Sequence, residues 1–205
     1  MFSSFWPTIA LCNSVARARP TRPAVNEVRI ISGKWRRRKL AFPNRPTLRP
    51  TPDRARETVF NWLAAWLDGA RCLDLFAGSG ALGFESLSRG AAEATLVDDD
   101  PVVIRALQEN ARAIGATHCA IVRASARDFL RSNERSWDIV FLDPPFDSAL
   151  LEHSLDALGT GPHLHPESIV YVESSVHLPP PLDGWTTIKS TRTGDVQSQL
   201  VQRVV

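Results

Sequence analysis

From residue 71 onward, apolar runs of strand length alternate with stretches of helical period. Cys72–Phe76, Ala94–Asp98, Cys119–Val122, Trp137–Leu142 and Ser168–Glu173 read as strands. They are short and nearly continuous in apolar residues, as strands buried on both faces are. Between them the spacing predicts a helix over Leu82–Arg89, stopped by Gly90, and one from Pro101 that Gly115 ends. In the latter, Val103, Leu107, Asn110 and Ile114 share a face. Shorter helical pieces follow at Ala126–Leu130 and Leu150–Leu158, then a Pro-rich loop over 174–184. Trp185–Ser190 and Gln197–Val204 read as a closing pair of strands. This alternation predicts an α/β fold with a doubly wound, mostly parallel sheet.

The first third reads differently. Val28–Gly33 looks like a strand ending in a glycine turn. Thr51 and Pro52 suit the N-cap and first position of a helix whose Val59, Phe60, Leu63, Trp66 and Leu67 face a core, with Asp68-Gly69 as its end. Residues 1–27 carry prolines and bases but, before Glu27, no acid, and are expected to be a poorly ordered extension; an organelle presequence is the minority reading. The expected divisions are therefore 1–27, a basic hairpin and helix over 28–69, and the α/β domain over 70–205.

Composition adds three limits. With 43% hydrophobic and 22% charged residues, the 205-residue chain is ordinary for a soluble domain. No apolar run approaches the roughly 18–20 residues of a membrane span. Cys12, Cys72 and Cys119 have no C-x-x-C spacing, so thiols in a reducing, cytoplasmic compartment are expected, without a metal site. His118, His153, His163, His165 and His177 sit in no motif and read as surface residues. A monomer is expected.

Charge changes the picture more. Up to Arg56 there are 13 Lys and Arg against two acids, +11; from Glu57 onward the balance is −9. A basic arm on an acidic body suits a polyanion. Within the arm, Lys34-Trp35-Arg36-Arg37-Arg38-Lys39 interleaves an aromatic with bases, a composition suited to RNA or DNA; the bland alternative is a charged hairpin with Trp35 packed down. Arg49, Arg54 and Arg56 lie near a helix start, where the dipole disfavours cations unless an anion is close.

Two segments carry candidate chemistry. Asp74-Leu75-Phe76-Ala77-Gly78-Ser79-Gly80 takes a strand into a glycine turn and a helix, with Gly83 three residues on and backbone N–H groups expected to be free for a ligand. Asp98 ends the next strand, 24 residues beyond Asp74, near the spacing of an acid that binds ribose hydroxyls. The pattern admits an NAD enzyme. S-adenosylmethionine is favoured because Asp74 could accept from a cationic amino group. The second segment, Asp143-Pro144-Pro145-Phe146, ends another strand and would lie beside the first at the carboxyl edge of the sheet. A carboxylate and a turn carbonyl there could accept both hydrogens of a base's exocyclic amine, while Phe146 stacks on the unstacked base.

Arg29–Leu40, Leu48–Trp62, Leu73–Gly83 and Phe141–Phe146 together resemble the bacterial 16S ribosomal RNA guanine-N2 methyltransferases of the RsmD type, over residues 29–205. The resemblance implies a class I methyltransferase, Rossmann-like fold, S-adenosyl-L-methionine as donor, and a guanine amine of 16S RNA or the small ribosomal subunit as acceptor. It implies cofactor roles for Asp74, Phe76, Ala77, Gly78, Ser79, Gly80, Asp98, Ser125 and Ala126. Asp143, Pro144, Pro145 and Phe146 would be catalytic, and Lys34 to Lys39 with Arg49 and Arg54 would contact RNA. Where the family has Gly-Asp-Ala, this chain has Ala124-Ser125-Ala126, so a hydroxyl replaces the acid near the adenine amine. Competing readings are an adenine-N6 methyltransferase of DNA, disfavoured by the short arm, and a non-catalytic RNA-binding module. An NAD oxidoreductase would leave the Asp-Pro-Pro-Phe turn unexplained.

Overall fold

A computed structural model describes residues 26–45, 51–145, 149–177 and 182–204. Strands β1 (Asn26–Arg29) and β2 (Lys39–Phe42) form an antiparallel hairpin. Helix α1 (Asp53–Trp62) breaks at Leu63 before the short α2 (Ala64–Leu67). Then strands and helices alternate: β3 (Arg71–Asp74), α3 (Ala81–Ser88), β4 (Glu93–Asp98), α4 (Pro101–Ile114), β5 (Cys119–Arg123), α5 (Ala126–Ser132) and β6 (Trp137–Leu142). Helix α6 (Leu150–Thr160) leads to the long β7 (Leu164–Ser175), and β8 (Trp185–Thr193) and β9 (Val196–Arg203) close the chain.

One seven-stranded sheet has the order β5-β4-β3-β6-β7-β9-β8. The five strands from β5 to β7 in that order are parallel, and β9 runs antiparallel to both β7 and β8. Alternate side chains feed two cores. Ile139 and Phe141 join Phe60, Phe84, Leu107 and Tyr171 on one face, while Val140 and Leu142 join Leu73, Phe129 and Leu155 on the other. From β3 the chain winds outward through β4 and β5; from β6 it winds the opposite way. The strand order therefore reverses between β3 and β6, and ligands bind beyond the carboxyl ends of strands at such a point.

The hairpin is fastened to α3 by a buried carboxylate. Glu85 accepts from the backbone N–H of Ile31 and Ser32, at 2.7 and 3.0 Å, and from Arg89 Nε at 2.7 Å. Lys34 N–H donates to Ser88 O, and a Cβ on Gly33, where φ is +79°, would meet that oxygen at 1.7 Å. Only glycine lets the turn approach so closely. On the other side, the Asn110 side chain bonds both the N–H and the carbonyl of Ala41.

The structure corrects several expectations. Thr51 caps no helix: Pro52 stands at the boundary in extended conformation, and the Thr51 hydroxyl turns to Glu173 instead. The anion near the start of α1 is the protein's own, because fully buried Arg56 donates to Asp53, to Arg29 O and to Thr51 O. The expected strand over 28–33 is confined to Asn26–Arg29, since the following backbone is taken up by Glu85. Trp66 is exposed rather than core-facing, as the break at Leu63 turns it outward. His163 is buried and His165 is bonded to Asp138, so neither is a free surface group.

Candidate active site

A cleft of about 210 Å³ opens where β3, β4 and β6 end. Its wall includes Phe76, Gly78, Asp98, Ser125, Ala126 and Pro145, which brings the glycine turn and the Asp-Pro-Pro turn together. Arg45, Asp99, Asp100, Val103 and Leu150 also line it without having been signalled by any motif. Arg45 is the clearest addition. It reaches from the basic arm to Asp100 at 2.9 Å, and Asp100 in turn caps α4 by accepting from Val102 N–H.

Three N–H groups of the glycine turn are spent internally. Gly78 N–H goes to Asp98 Oδ2 at 3.0 Å, Ala77 N–H to Val97 O, and Gly80 N–H to Ala77 O. These N–H groups are not free for a ligand as the sequence suggested, so a pyrophosphate would find them taken. Gly80 begins α3 with φ of +76°, and a Cβ there would lie 2.6 Å from the Phe84 ring. Ala77, Ser79 and Gly80 are buried beneath the turn rather than on the cleft wall.

Asp74 also sits beneath the turn, buried, with Oδ2 accepting from Gly83 N–H at 2.9 Å. Its other oxygen has no hydrogen-bond partner among the described residues. Burial pushes its pKa up to about 7, against the Gly83 N–H and with help from the Asp98 charge. A buried carboxylate held this high gains from a neighbouring cation. Asp98 uses both oxygens, on Gly78 N–H and Asp100 N–H, and burial raises its pKa against those bonds. Each of its oxygens keeps a further lone pair for a hydroxyl. Ser125 caps α5: its oxygen accepts from Asp128 N–H and its hydrogen goes to Asp128 Oδ2 at 2.8 Å. With that hydrogen committed, Ser125 can only accept from the cleft. This set of acceptors suits a ligand carrying one ammonium, ribose hydroxyls and an aminated base.

Asp143 follows β6 and is part-exposed, whereas Pro144 is buried and Pro145 exposed. Burial of the carboxyl, then the charges of Glu173 and Asp74, push Asp143 well above the usual carboxylate range; the Thr51 hydroxyl opposes this weakly from 3.5 Å. Glu173 was missed from sequence. It ends an apolar run, as Asp98 and Asp143 do, and that shared position was the available signal. Phe146 and Arg49 lie outside the described residues.

Among the expected RNA contacts, Arg36, Arg37 and Arg54 are exposed and make no ion pair among the described residues. Lys34 lies over the Trp35 ring at 5.5 Å, Arg38 donates to Ala113 O, and Lys39 pairs with Glu27 at 2.6 Å. Trp35 is half-buried, packed partly against the core.

Sheet order, a cleft at the reversal point and a strand-end Asp-Pro-Pro turn together define a class I methyltransferase. The family described as conserved hypothetical protein 95 matches residues 28–202. Ribosomal RNA small subunit methyltransferase D of Escherichia coli is 44% identical over 187 residues, covering 90% of this chain and 94% of that protein. The Haemophilus influenzae protein of the same name is 42% identical over 188 residues, covering 89% and 97%. The solved structure of Escherichia coli yhhF superposes with a TM-score of 0.79 at 42% identity, over 87% of this chain and 98% of that one. The chain belongs to the family of ribosomal RNA small subunit methyltransferase D.

Proposed function

We propose that this chain methylates the exocyclic N2 amine of a guanine in 16S ribosomal RNA, with S-adenosyl-L-methionine as donor, during small-subunit maturation. The observation that carries this reading is the shared cleft: Pro145 of the Asp-Pro-Pro turn stands on the same wall as Gly78, Asp98 and Ser125. The names of the relatives support ribosomal RNA as the substrate class. No helix among the described residues is long and apolar enough to cross a membrane.

Bound S-adenosylmethionine supplies an electrophilic methyl group. Asp74 would hold its ammonium, Asp98 its ribose hydroxyls and Ser125 its adenine amine. Asp143 accepts a hydrogen of the guanine amine, with a carbonyl of the Pro-Pro turn for the second. The nitrogen lone pair, otherwise delocalised into the ring, is thereby aimed and made more available. Exposed Arg36, Arg37 and Arg54 hold the phosphate backbone.

The test is methylation of naked 16S RNA, or of small subunits lacking the modification, with labelled donor and mapping of the product. Label on guanine N2 is expected; label on adenine, on DNA alone, or on neither nucleic acid overturns the proposal. Asp143→Ala should lose about 100-fold or more in rate while retaining donor binding by calorimetry. Full activity in that variant would remove Asp143 from the reaction.

A further inference from the structure

Behind the Asp-Pro-Pro turn lies a second carboxylate that the methyl transfer as described does not use. Glu173, 5% exposed, stands on β7 beside Asp143, next in register after the Leu142 and Val172 pair. Its Oε2 accepts from the Tyr171 hydroxyl at 2.6 Å and from Thr51 Oγ at 3.0 Å. The same Thr51 oxygen is 3.5 Å from Asp143 Oδ2, and the Tyr171 hydroxyl is 3.2 Å from Ser198 Oγ on β9. The groups that bear on Asp143 are Glu173 and Tyr171 from β7, Asp74 from β3 and Thr51 ahead of α1; no cation among the described residues joins them.

We infer that Asp143, Thr51 and Glu173 form a proton relay in which Glu173 takes the proton that Asp143 must shed before it can accept the amine. The inference rests on the proposed role of Asp143. Two carboxyls so close, in a buried place without a cation, do not both ionise near neutrality. Glu173 receives two hydroxyl hydrogen bonds, which favour its charged form, so in the free protein the shared proton rests on Asp143. A hydroxyl has one hydrogen. The shorter contact commits that of Thr51 to Glu173 and leaves a lone pair toward Asp143.

The transfer balances. As an amine donor enters, the Asp143 carboxyl hydrogen passes to the Thr51 oxygen while the Thr51 hydrogen passes to Glu173. Asp143 becomes ionised, Glu173 neutral, and the total charge is unchanged. Once N2 has gained a methyl group it carries one hydrogen too many. Asp143 takes that proton, the N–H bonding pair returns to nitrogen as a lone pair, and the two carboxyls, now both protonated, release one proton to solvent. Burial raises Glu173 even against the bonds from Tyr171 and Thr51, in keeping with a group able to hold a proton.

Infrared titration of the free protein reads protonated carboxyls directly, without substrate. Glu173→Gln removes the neighbouring charge, so the Asp143 step should move down by about one pH unit or more. The acid limb of the pH–rate profile should move the opposite way, to higher pH, because without Glu173 the Asp143 proton has no internal acceptor and must leave to solvent before the amine can bind. Tyr171→Phe keeps Glu173 but weakens its charged form, placing the proton there more readily; the Asp143 infrared step should again move down and the limb up, less far than in Glu173→Gln. Infrared steps that persist in both Glu173→Gln and Asp143→Asn belong to other carboxyls, Asp74 and Asp98 among them. A merely structural Glu173 would lower the rate at every pH and leave limb and infrared step in place, which would overturn the relay. Should Glu173→Gln not fold, Tyr171→Phe decides by the same two readings. If the wild-type protein methylates no RNA, the proposed function fails, and the infrared titration still decides whether the pair shares a proton.

Discussion

Asp74 shows how far one side chain could be read in advance and what burial then did to it. An acid inside a short apolar strand just before a glycine turn was legible, because a charge has no other reason to lie there. That it lies under the turn, held by Gly83 N–H, was not legible. Its pKa near 7, against 3.8 for a free carboxyl, means that the empty fold prefers the protonated form. The stability contributed is full below 3.8 and is lost as pH rises through about 7. Asp74→Asn, which stays neutral, should therefore melt higher than wild type above pH 7 and alike below 3.8, in thermal unfolding without ligand. The same variant should bind S-adenosylmethionine roughly tenfold or more weakly, because an uncharged amide holds an ammonium poorly. Equal melting temperatures above pH 7 would refute the burial argument. Thr51 is the opposite case. Its residue type suits an N-cap, but several roles suit a threonine, and only the neighbouring strand ends chose among them.

At the level of helices and strands, legibility followed the punctuation. Helix α4 has the bounds the sequence announced, Pro101 to Ile114, because Asp100 caps it and Gly115 stops it in the left-handed region. Strand β6 likewise spans Trp137–Leu142, between a polar loop and two prolines. No residue marks the break at Leu63, and none marks the extent of β7, whose ends pair with β6 on one side and β9 on the other. The attachment of the hairpin to α3 was equally hidden, since Glu85 looks in sequence like an ordinary helical acid. Its side chain is fully buried between Arg56 and Arg89 and carries two backbone bonds from the hairpin. Glu85→Gln should cost about 3 kcal/mol in urea unfolding, since it strands buried guanidinium charge. It should also open residues 30–38 to limited proteolysis. Unchanged stability would mean that the hairpin is held by other contacts.

Across the full chain, charge and topology divide the labour. The basic arm and acidic body were visible by counting, and the described arm residues Arg36, Arg37 and Arg54 remain available at the surface. Replacing these three by alanine should weaken RNA binding and lower the slope of log affinity against log salt by up to about 0.7–0.9 per lost phosphate contact. The rate at saturating RNA should be little changed. An unaltered salt slope would place the RNA elsewhere. Arg45 ties this arm to the cleft through Asp100, a link that no pattern in the chain announced.

Local chemistry accounts for what could be known from residue order: strand and helix types follow from hydrophobic period, ends from glycine, proline and caps, and acids at strand ends from the cost of burying charge without purpose. Proximity across the sheet had to await the fold. Asp74, Asp143 and Glu173 are far apart in the chain, and their shared environment exists because β3, β6 and β7 pair side by side in a register that brings them to neighbouring positions. Parallel pairing sets that register through backbone bonds common to all residue types, so the side chains carry no mark of which strands become neighbours. For the same reason the raised pKa of Asp143 is a property of the assembled fold, set by burial and then by the charges of Glu173 and Asp74.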